Sequence, residues 1–583
     1  MKERILCSLK NISFVIIIAL LGAACGDDKE ESIDVGNEGG NGTVTGTVAK
    51  VDVKKAGSLS SLIGDDVKFN ITDLTVTGDI NGDDIALIRE MAGADVNGDE
   101  TKGHLSKLNL KDANIVAGGN PYYIRSTTQA YYSRTNVLTS YMFVGCNNLT
   151  TVIFPKAIEV IERCIFGFYG NNSSVENRNL TTVALGDKIA EIGIGAFANC
   201  VNLKAIVIPD GVTIIGDMAF GRCLNLTTID IPNTVSEIGD RVFEQCDNLA
   251  TINMSNNIVN LGATFQNCTG LKNIIIPNGV TSIGNNAFTG CSSLSSIDIP
   301  NSVTSIGNNA FTGCSSLSSI DIPNSVTSIG NNAFTGCLKL TTVNVPNSVT
   351  EINGMFTECS GIVHITLPNG ITYIADNEFA GCENLKELKI PDSVTSIGTG
   401  AFMNCRNLVS LSIGCGLRYI GVLDITGGIG FDKIFFGCNS LVKFTVSEDN
   451  PNFISVDGML LTKDKSRLVT CPVVKTKIDI PSSVTIIGGP SSYDDTIFPY
   501  RYYAYPFSYS SLTSVTIPAN VRTIFGFNNC TQLMEVHIRC TTPPALPEAF
   551  IAVNDKCIFY VPRGTLDAYK KSEWWKYKNI VEE

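Results

Sequence analysis

The strongest constraint on this chain is an internal repeat between residues 280 and 337. The string VTSIGNNAFTGCSSLSSIDIPNS begins at Val280 and again at Val303, and a third copy begins at Val326 and continues to Cys337. The copies start 23 residues apart. A unit of this length cannot bury its apolar side alone, so successive units must stack and share one continuous core. The repeat therefore predicts a solenoid, which lets 583 residues fold without dividing into several compact cores.

One unit of the repeat shows how each coil begins. Leu294, Ile297 and Ile299 alternate with polar residues, which is typical of a strand that has one buried side and one exposed side. Ser296 and Asp298 occupy the exposed positions. The sequence therefore predicts one strand per coil, with its polar side chains facing outward.

The rest of the coil returns the chain to the next strand. Pro300 ends the strand, and residues 303–306 form a second short extended piece. Gly307 is predicted to permit a sharp bend. Phe311 and Cys314 then lie in a short helical segment or turn that closes the coil.

The cysteines follow the same period. Ten of the 20 recur every 22–23 residues: Cys200, Cys223, Cys246, Cys268, Cys291, Cys314, Cys337, Cys359, Cys382 and Cys405. Stacked equivalent positions point in the same direction, whereas a disulfide needs two side chains that face each other. We interpret them as a ladder of buried thiols, with disulfides between coils as the alternative. The chain contains no CxxC pair of the kind that binds zinc.

The complete pattern, Leu-x-x-Ile-x-Ile-Pro-x-x-Val-x-x-Ile-Gly-x-x-Ala-Phe-x-x-Cys, resembles the BspA-type leucine-rich repeat family of bacterial surface proteins. The resemblance covers about residues 100–583, and the terminal string PPALPEAF…VPRGTLDAYK…W is similar to that family's usual ending. It implies a β-rich α/β solenoid, a leucine-rich repeat right-handed coil of 22–23-residue units with terminal caps. It also implies a cell-surface adhesin that binds host extracellular-matrix proteins or other surface proteins.

Residues 1–25 resemble a bacterial lipoprotein signal peptide. A basic start is followed by the apolar run 12–21 and by small residues before Cys25, which would carry the lipid. Gly22 stands where the usual lipobox has an aliphatic residue. The acidic cluster 27–31 resembles a surface-export signal, so we predict a surface-exposed lipoprotein of the outer membrane. An ordinary cleaved signal peptide and an uncleaved anchor are the alternatives.

Composition and period divide the remaining chain into segments. Residues 26–48 lack large apolar side chains and predict a flexible tether. The other predicted segments are an N-terminal module or cap (49–136), the solenoid (137–540) with insertions at 167–179, 414–436 and 490–510, and a C-terminal cap (541–583). A hairpin is predicted around Asp457 and Gly458.

Two segments of the form D-x-N-x-D are weak candidates for calcium binding. In the first, Asp79, Asn81 and Asp83 would be ligands together with Glu90 at loop position 12. Position 6 of such a loop should be Gly but is Asp84. The alternative interpretation is a variant first coil of the solenoid, and the sequence predicts no cofactor.

We find no catalytic motif in the sequence. The three histidines are spread over separate coils, and neither HExxH nor GxSxG occurs. A formal charge of −13 without a basic run argues against nucleic-acid binding. We therefore predict a protein that is not an enzyme.

Two surface features are candidate binding sites. The first is a polar stripe on the outward side of the strands, interrupted by Ile275; its members are Asp230, Asn253, Asp298, Asp321 and Asn344. The second is a Tyr-rich insertion whose tyrosines offer amphipathic contact area; they are Tyr493, Tyr500, Tyr502, Tyr503, Tyr505 and Tyr509. The alternatives are a merely solubilising stripe and an insertion that packs on itself.

Three functions remain open at this point. The leading hypothesis is a non-enzymatic recognition protein, an adhesin or protein-binding scaffold held at the membrane only by its lipid. The second is a glycan-capturing accessory lipoprotein of a polysaccharide-utilisation system, and the third is a structural spacer. Because identical coils repeat the same surface, we expect any unique chemistry where the period breaks.

Overall fold

The computed structural model describes residues 32–37, 39–168, 175–420, 434–472, 474–490, 503–504, 506–507 and 510–583. It confirms the predicted leucine-rich repeat solenoid, in which two rows of short parallel strands run the length of the repeats. The helices are α1 (Leu59–Leu62), α2 (Gly82–Met91) and α3 (Leu566–Lys570), with 3-10 turns at Lys68–Asn70 and Glu573–Lys576. No helix among the described residues combines the length and apolar character needed to cross a membrane.

The main row contains the strand that each coil was predicted to contribute. Its strands are Asp73–Ile80, Lys107–Asn109, Thr151–Ile153, Thr182–Ala184, Thr228–Asp230, Thr251–Asn253, Thr342–Asn344, His364–Thr366, Glu387–Ile390, Ser410–Ile413 and Lys443–Val446. Isolated parallel bridges such as Asp298–Asp321 continue the row through the most regular coils. In these coils Leu294, Ile297 and Ile299 are buried, so the inward positions are as predicted.

The second row is built from the VTSI-type segments. Its strands are Val137–Leu138, Val160–Ile161, Glu191–Ile192, Ile214–Ile215, Glu237–Ile238, Asn260–Leu261, Ser282–Ile283, Ser305–Ile306, Ser328–Ile329, Tyr373–Ile374, Ser396–Ile397 and Tyr419–Ile420. The register is constant, with Ile283 beside Ile306 and Ile306 beside Ile329. Constant register places the same residue type at the same depth in each coil, which is why one repeated sequence can build a continuous core.

The N-terminal part of the chain corrects one prediction. Ser32–Asn37, Gly40–Thr45 and Val48–Val53 form antiparallel strand pairs, although residues 26–48 were predicted to be a tether. Strand pairing uses backbone groups, so a Gly- and Thr-rich sequence can form it where a neighbouring strand is present. Val48–Val53 then pairs in parallel with Asp73–Ile80 and joins this hairpin to the main row. Ala113–Ile115 also pairs with Asp73–Ile80, and Gly118–Ser126 pairs with Gln129–Ser133.

The C-terminal part contains the predicted hairpin and a further stack of strands. Asp457 and Gly458 both have positive φ, 50° and 75°, and connect the first two strands of an antiparallel unit. The strands of this part are Phe453–Val456, Met459–Thr462, Arg467–Thr470, Lys477–Asp479, Ile486–Ile487, Gly489–Pro490, Tyr503–Ala504, Ser514–Ile517, Thr523–Gly526, Glu535–Ile538, Ala545–Ala549, Ile558–Val561 and Ile580–Glu582. At the end of the chain Trp574 is buried, and its indole N–H donates to the Pro544 carbonyl at 2.8 Å.

The core of the repeats is a stack of phenylalanine rings beside a stack of thiols. The centroids of Phe288 and Phe311 are 5.4 Å apart with an interplanar angle of 6°. The Cys314 thiol donates to the Phe288 carbonyl of the preceding coil at 3.2 Å. All cysteines in the described ranges are free, and the ten repeat cysteines are buried, so the predicted thiol ladder is confirmed there.

The repeat glycine has a different role from the one predicted. Gly307 does not have a positive φ; Asn309 and Gly313 in the same coil do, at 55° and 73°. A Cβ built on Gly307 would lie 2.5 Å from the backbone nitrogen of Asn285 in the preceding coil. Glycine is therefore needed at this position because the coils approach each other closely.

Candidate binding surface

The outward side of the main row positions the polar residues predicted to form a stripe. Thr228, Ile229 and Asp230 lie directly beside Thr251, Ile252 and Asn253 in parallel register. The amide nitrogen of Asn253 donates to the Asp230 carboxylate at 2.5 Å. This part of the stripe is a continuous polar ladder in which side chains from adjacent coils hold each other in place.

At the centre of the stripe, the negative charges are not neutralised by neighbouring basic side chains among the described residues. Asp298 bridges Ile275 on one side and Asp321 on the other, so two carboxylates stand one strand spacing apart, about 4.8 Å. Both are exposed, and the structure's described residues place no basic side chain within ion-pair distance of either. Their mutual repulsion in water is about 1 kcal/mol or less at this spacing. The pair leaves negative charge and hydrogen-bond acceptors on an accessible face.

The stripe changes character along its length. Ile275 is 82% exposed and Val207 is 45% exposed, so the polar ladder has apolar interruptions. Asn344 pairs in register with Thr366, and Lys389 follows in the next strand. The face is therefore mostly polar but interrupted at Ile275, is most acidic at Asp298 and Asp321, and acquires a positive charge at Lys389.

The tyrosines of the predicted aromatic insertion are largely outside the described residues. This holds for Tyr493, Tyr500, Tyr502, Tyr505 and Tyr509. The backbone of Tyr503 pairs with Pro490 in a short antiparallel ladder. Phe507, from the same segment, is buried and stacks on Phe527 with ring centroids 4.3 Å apart. This end of the insertion is thus attached to the core.

The candidate calcium ligands hold structural positions. Asn81 caps α2 (Gly82–Met91), accepting from the Asp83 backbone N–H at 3.0 Å, and Asp84 completes the capping box. Asp79 bonds the Asn114 amide, and Glu90 forms an ion pair with Lys68 at 3.2 Å. Within the described ranges no group of three or more His, Cys, Asp or Glu side chains is arranged to hold a metal ion.

Burial keeps the thiols of the core protonated. Burial raises the pKa of the Cys291 thiol to about 12 and that of Cys471 to about 12. A thiol with such a pKa is protonated at neutral pH and is a poor nucleophile.

The histidines remain apart: His104 contacts the Lys102 carbonyl, His364 is exposed, and His537 bonds Glu583.

One cavity lies at a position that the sequence reading did not select. It has a volume of about 680 Å³ and is lined by residues of the coil that begins at Val349 and of its neighbours. The signal in the sequence was a single missing residue, because Ile352 and Phe356 are four positions apart whereas Ile329 and Phe334 are five apart. Units of 22 and of 23 residues both fit the repeat, so the sequence alone does not mark the shorter coil as an interruption.

Comparison with protein families gives a match to most of the repeats. The model described as BspA type leucine rich repeat region matches in six copies; the matched residues are 104–173, 169–291, 262–355, 353–451 and 501–556. Together these matches cover more than half of the chain. No match was found among curated proteins.

Several solved structures are similar to parts of this chain. A leucine-rich repeat protein from Bacteroides ovatus is 24% identical over 55% of this chain and 84% of its own, with a TM-score of 0.45. A leucine rich cell surface protein from Faecalibacterium prausnitzii is 21% identical over 72% of this chain and 96% of its own, with a TM-score of 0.36. A leucine-rich repeat protein from Eubacterium ventriosum is 17% identical over 72% of this chain and 96% of its own, with a TM-score of 0.35.

Proposed function

Because the chain belongs to the BspA-type leucine-rich repeat family, we propose that it is a non-enzymatic recognition protein of the bacterial surface. Its partner is a protein, of the extracellular matrix or of another cell surface. The outward side of the main row is the contact face. Flat repeat surfaces present many equivalent groups, which suits a partner that binds over several coils at once.

The observation that carries this proposal is the register of the polar stripe. Asp230 and Asn253 are bonded to each other, while Asp298 and Asp321 stand side by side with accessible carboxylates. Fixed polar groups lose little freedom on binding, so the entropic cost of contact is small. The acidic centre favours a partner with a basic patch, because complementary charge speeds association and fixes orientation.

The test is binding of the purified protein to a panel of immobilised extracellular-matrix proteins. We expect Asp298→Asn combined with Asp321→Asn to weaken binding, whereas Glu191→Gln combined with Glu237→Gln, on the second row, leaves it unchanged. The control pair removes the same charge from exposed strand positions. Equal binding by both variants would contradict the proposed face, and retention on polysaccharides alone would favour the glycan-capturing function.

The same proposal includes a lipid anchor at Cys25 and display on the outer membrane. It rests on the basic start, apolar run and small residues before Cys25, all outside the described part of the structure. Replacement Cys25→Ser should abolish incorporation of labelled fatty acid and release the protein from the membrane fraction. Fatty-acid labelling that persists in this variant would contradict the anchor.

A further inference from the structure

A cavity lies at the shortened coil. Its walls include Leu338, Glu358, Asp376, Glu383 and Met403. These residues come from four successive coils, so the cavity is a cleft across the stack. It lies on the turns that close the coils, away from the polar stripe of the main row.

The cleft lies beside a coil that lacks one residue present in both of its neighbours. The segment Leu261–Phe265 is equally short, but the coil that follows it has Ala287 at the position that Glu378 holds here. The segment from Ile352 to Phe356 is one residue shorter than the equivalent segment of the preceding coil. The rings of Phe356 and Phe379 are 6.2 Å apart, against 5.4 Å for Phe288 and Phe311. The stack is therefore wider at the position where the shortened coil meets the next one.

A buried carboxylate holds this irregular junction together. In regular coils the backbone N–H of the stacked phenylalanine donates to the carbonyl of the alanine in the next coil, as from Phe288 to Ala310 at 2.8 Å. Glu378 replaces that alanine, and its carboxylate accepts from the Gly354 and Met355 N–H groups at 2.6 and 3.0 Å. The side chain therefore accepts hydrogen bonds from the shortened segment across the widened junction.

The charged side chains that line the cleft are all acidic. They are Glu358, Asp376 and Glu383. Asp376 is held in place because its carboxylate accepts from the Tyr373 hydroxyl at 3.0 Å and from the Thr399 N–H at 2.7 Å. In the described residues Glu383 pairs with Arg406 at 3.4 Å, while Glu358 and Asp376 have no basic side chain within ion-pair distance.

The cleft also has an apolar wall. Leu338 is 48% exposed and occupies the position held by Ser292 and Ser315 in the two preceding coils. Met403 lies on the other side. An arginine or lysine side chain combines an aliphatic stem with a cationic head, so it can cover apolar surface while its head meets carboxylates. Arginine fits better, since its planar guanidinium bonds carboxylates in pairs.

We propose that this cleft binds an arginine side chain presented by a protein partner. The stem of that side chain packs between Leu338 and Met403, and its guanidinium meets Glu358 and Asp376. The identity of the partner as a protein rests on the proposed function, whereas binding of a guanidinium does not.

The first experiment measures binding of fluorescent hexa-arginine to the full chain at about 0.15 M salt, where attraction between distant surface charges is screened. We expect Glu358→Gln combined with Glu383→Gln to weaken binding about 10-fold, because the first change removes a carboxylate that meets the guanidinium and the second frees Arg406 to oppose the ligand. Glu191→Gln combined with Glu237→Gln removes the same charge elsewhere and should change the affinity less than about 2-fold. Equal weakening by both pairs would show simple net-charge attraction and overturn the proposal.

A second variant closes the cleft by restoring the repeat. The sequence Gly-Asn-Asn-Ala replaces Asn353, Gly354 and Met355, together with Glu378→Ala. The restored coil should keep or raise the melting temperature and lose hexa-arginine binding. Unchanged binding would overturn the proposal. Should the restored coil misfold, Leu338→Ser keeps the native coil length and should still weaken binding. An unchanged affinity of that variant would likewise overturn the proposal.

The proposed contact face and the proposed cleft can be rejected independently of each other. Loss of hexa-arginine binding in the cleft variants, with matrix binding insensitive to Asp298 and Asp321, would retain the cleft and reject the proposed face. The reverse result would retain the face and reject the cleft.

Discussion

Two regions of the solenoid form different hydrogen bonds to the coil that follows. They are the regular coils of residues 280–348 and the shortened coil of residues 349–371. In the regular coils alternate N–H groups of the closing turn donate to backbone carbonyls of the next coil, as from Asn309 to Asn331 at 2.9 Å and from Phe311 to Ala333 at 2.8 Å. In the shortened coil the side chain of Glu378 accepts from the Gly354 and Met355 N–H groups. The shortened coil, together with Glu378 in the coil that follows, therefore places a buried carboxylate at this junction, beside the cleft.

This contrast explains why a uniform repeat can carry a local site. Identical coils expose the same groups again and again, so they suit a broad face such as the one around Asp298 and Asp321. A coil of different length brings side chains from several coils into a new arrangement, as around Glu358 and Asp376. The regular coils supply rigidity and the irregular coil supplies a distinct shape.

The largest expected loss of stability comes from removing a phenylalanine ring from the ring stack of the regular coils. Phe311→Ala removes a ring that packs on Phe288 and Phe334 at 5.4 and 5.5 Å. We expect a loss of about 3–5 kcal/mol in the local free energy of unfolding, which is typical of a cavity left by a buried phenylalanine. Hydrogen exchange of residues 288–334 measures it, because a long repeat array need not unfold in one step. An effect below about 1 kcal/mol would show that the ring stack is not what stabilises these coils.

The shortened coil should respond to pH where the regular coils do not. Burial raises the pKa of Glu378 to about 7, above its usual 4.5. The folded state then binds the proton more tightly than the unfolded state, so this group's stabilising contribution is complete below about pH 4.5 and is lost as pH rises to about 7. We expect a fall of about 3 kcal/mol in the local free energy of unfolding over this interval.

The measurement is hydrogen exchange of residues 352–356 between pH 5 and 8, corrected for the intrinsic exchange rate. The control is Glu378→Gln, which has no proton to release in this range and should remove the pH dependence. A wild-type profile that is flat, or that rises with pH, would contradict the assignment.

Removing the buried carboxylate should have a smaller effect at neutral pH. Glu378→Ala leaves the N–H groups of Gly354 and Met355 without acceptors but also removes a charge that is costly to bury. We expect a net loss of about 2 kcal/mol in the local free energy of unfolding. The exposed Glu358→Ala is the matched control and should change stability by less than about 0.5 kcal/mol. Equal effects of the two changes would mean that Glu378 does not hold the junction.

The smallest expected change in stability comes from a substitution in the polar stripe. Asp321→Asn removes the repulsion between Asp321 and Asp298 and should raise the free energy of unfolding by about 0.5 kcal/mol or less, more at low salt than at high salt. Denaturant titration at two salt concentrations tests this. A clear loss of stability would show that Asp321 makes a structural contact and is not simply an exposed group.

The sequence predicted what the repeat itself determines. The inward positions of Leu294, Ile297 and Ile299 and the buried thiol ladder follow from the period and from alternation, and both are confirmed. Close approach of neighbouring coils is a property of the assembled stack, so Gly307 was assigned a bend when its hydrogen atom is what allows contact with Asn285. A single coil does not contain this information.

Local patterns were harder to interpret where one set of letters fits two structures. The D-x-N-x-D segment at Asp79 is compatible with a calcium loop and with a helix start, and in the structure Asn81 caps α2. The cleft was missed because a one-residue deletion looks like ordinary variation in period. Only the spatial position of Glu378 in the following coil shows that the deletion is compensated.

The account's central claim is that the broken repeat creates a local site for a guanidinium, distinct from the broad face of the regular coils. The most direct measurement is hydrogen exchange of the full chain with and without hexa-arginine at about 0.15 M salt. We predict protection confined to residues 338–404, with exchange at residues 280–330 unchanged. Protection spread evenly over the regular coils, or absent from residues 338–404, would contradict the claim.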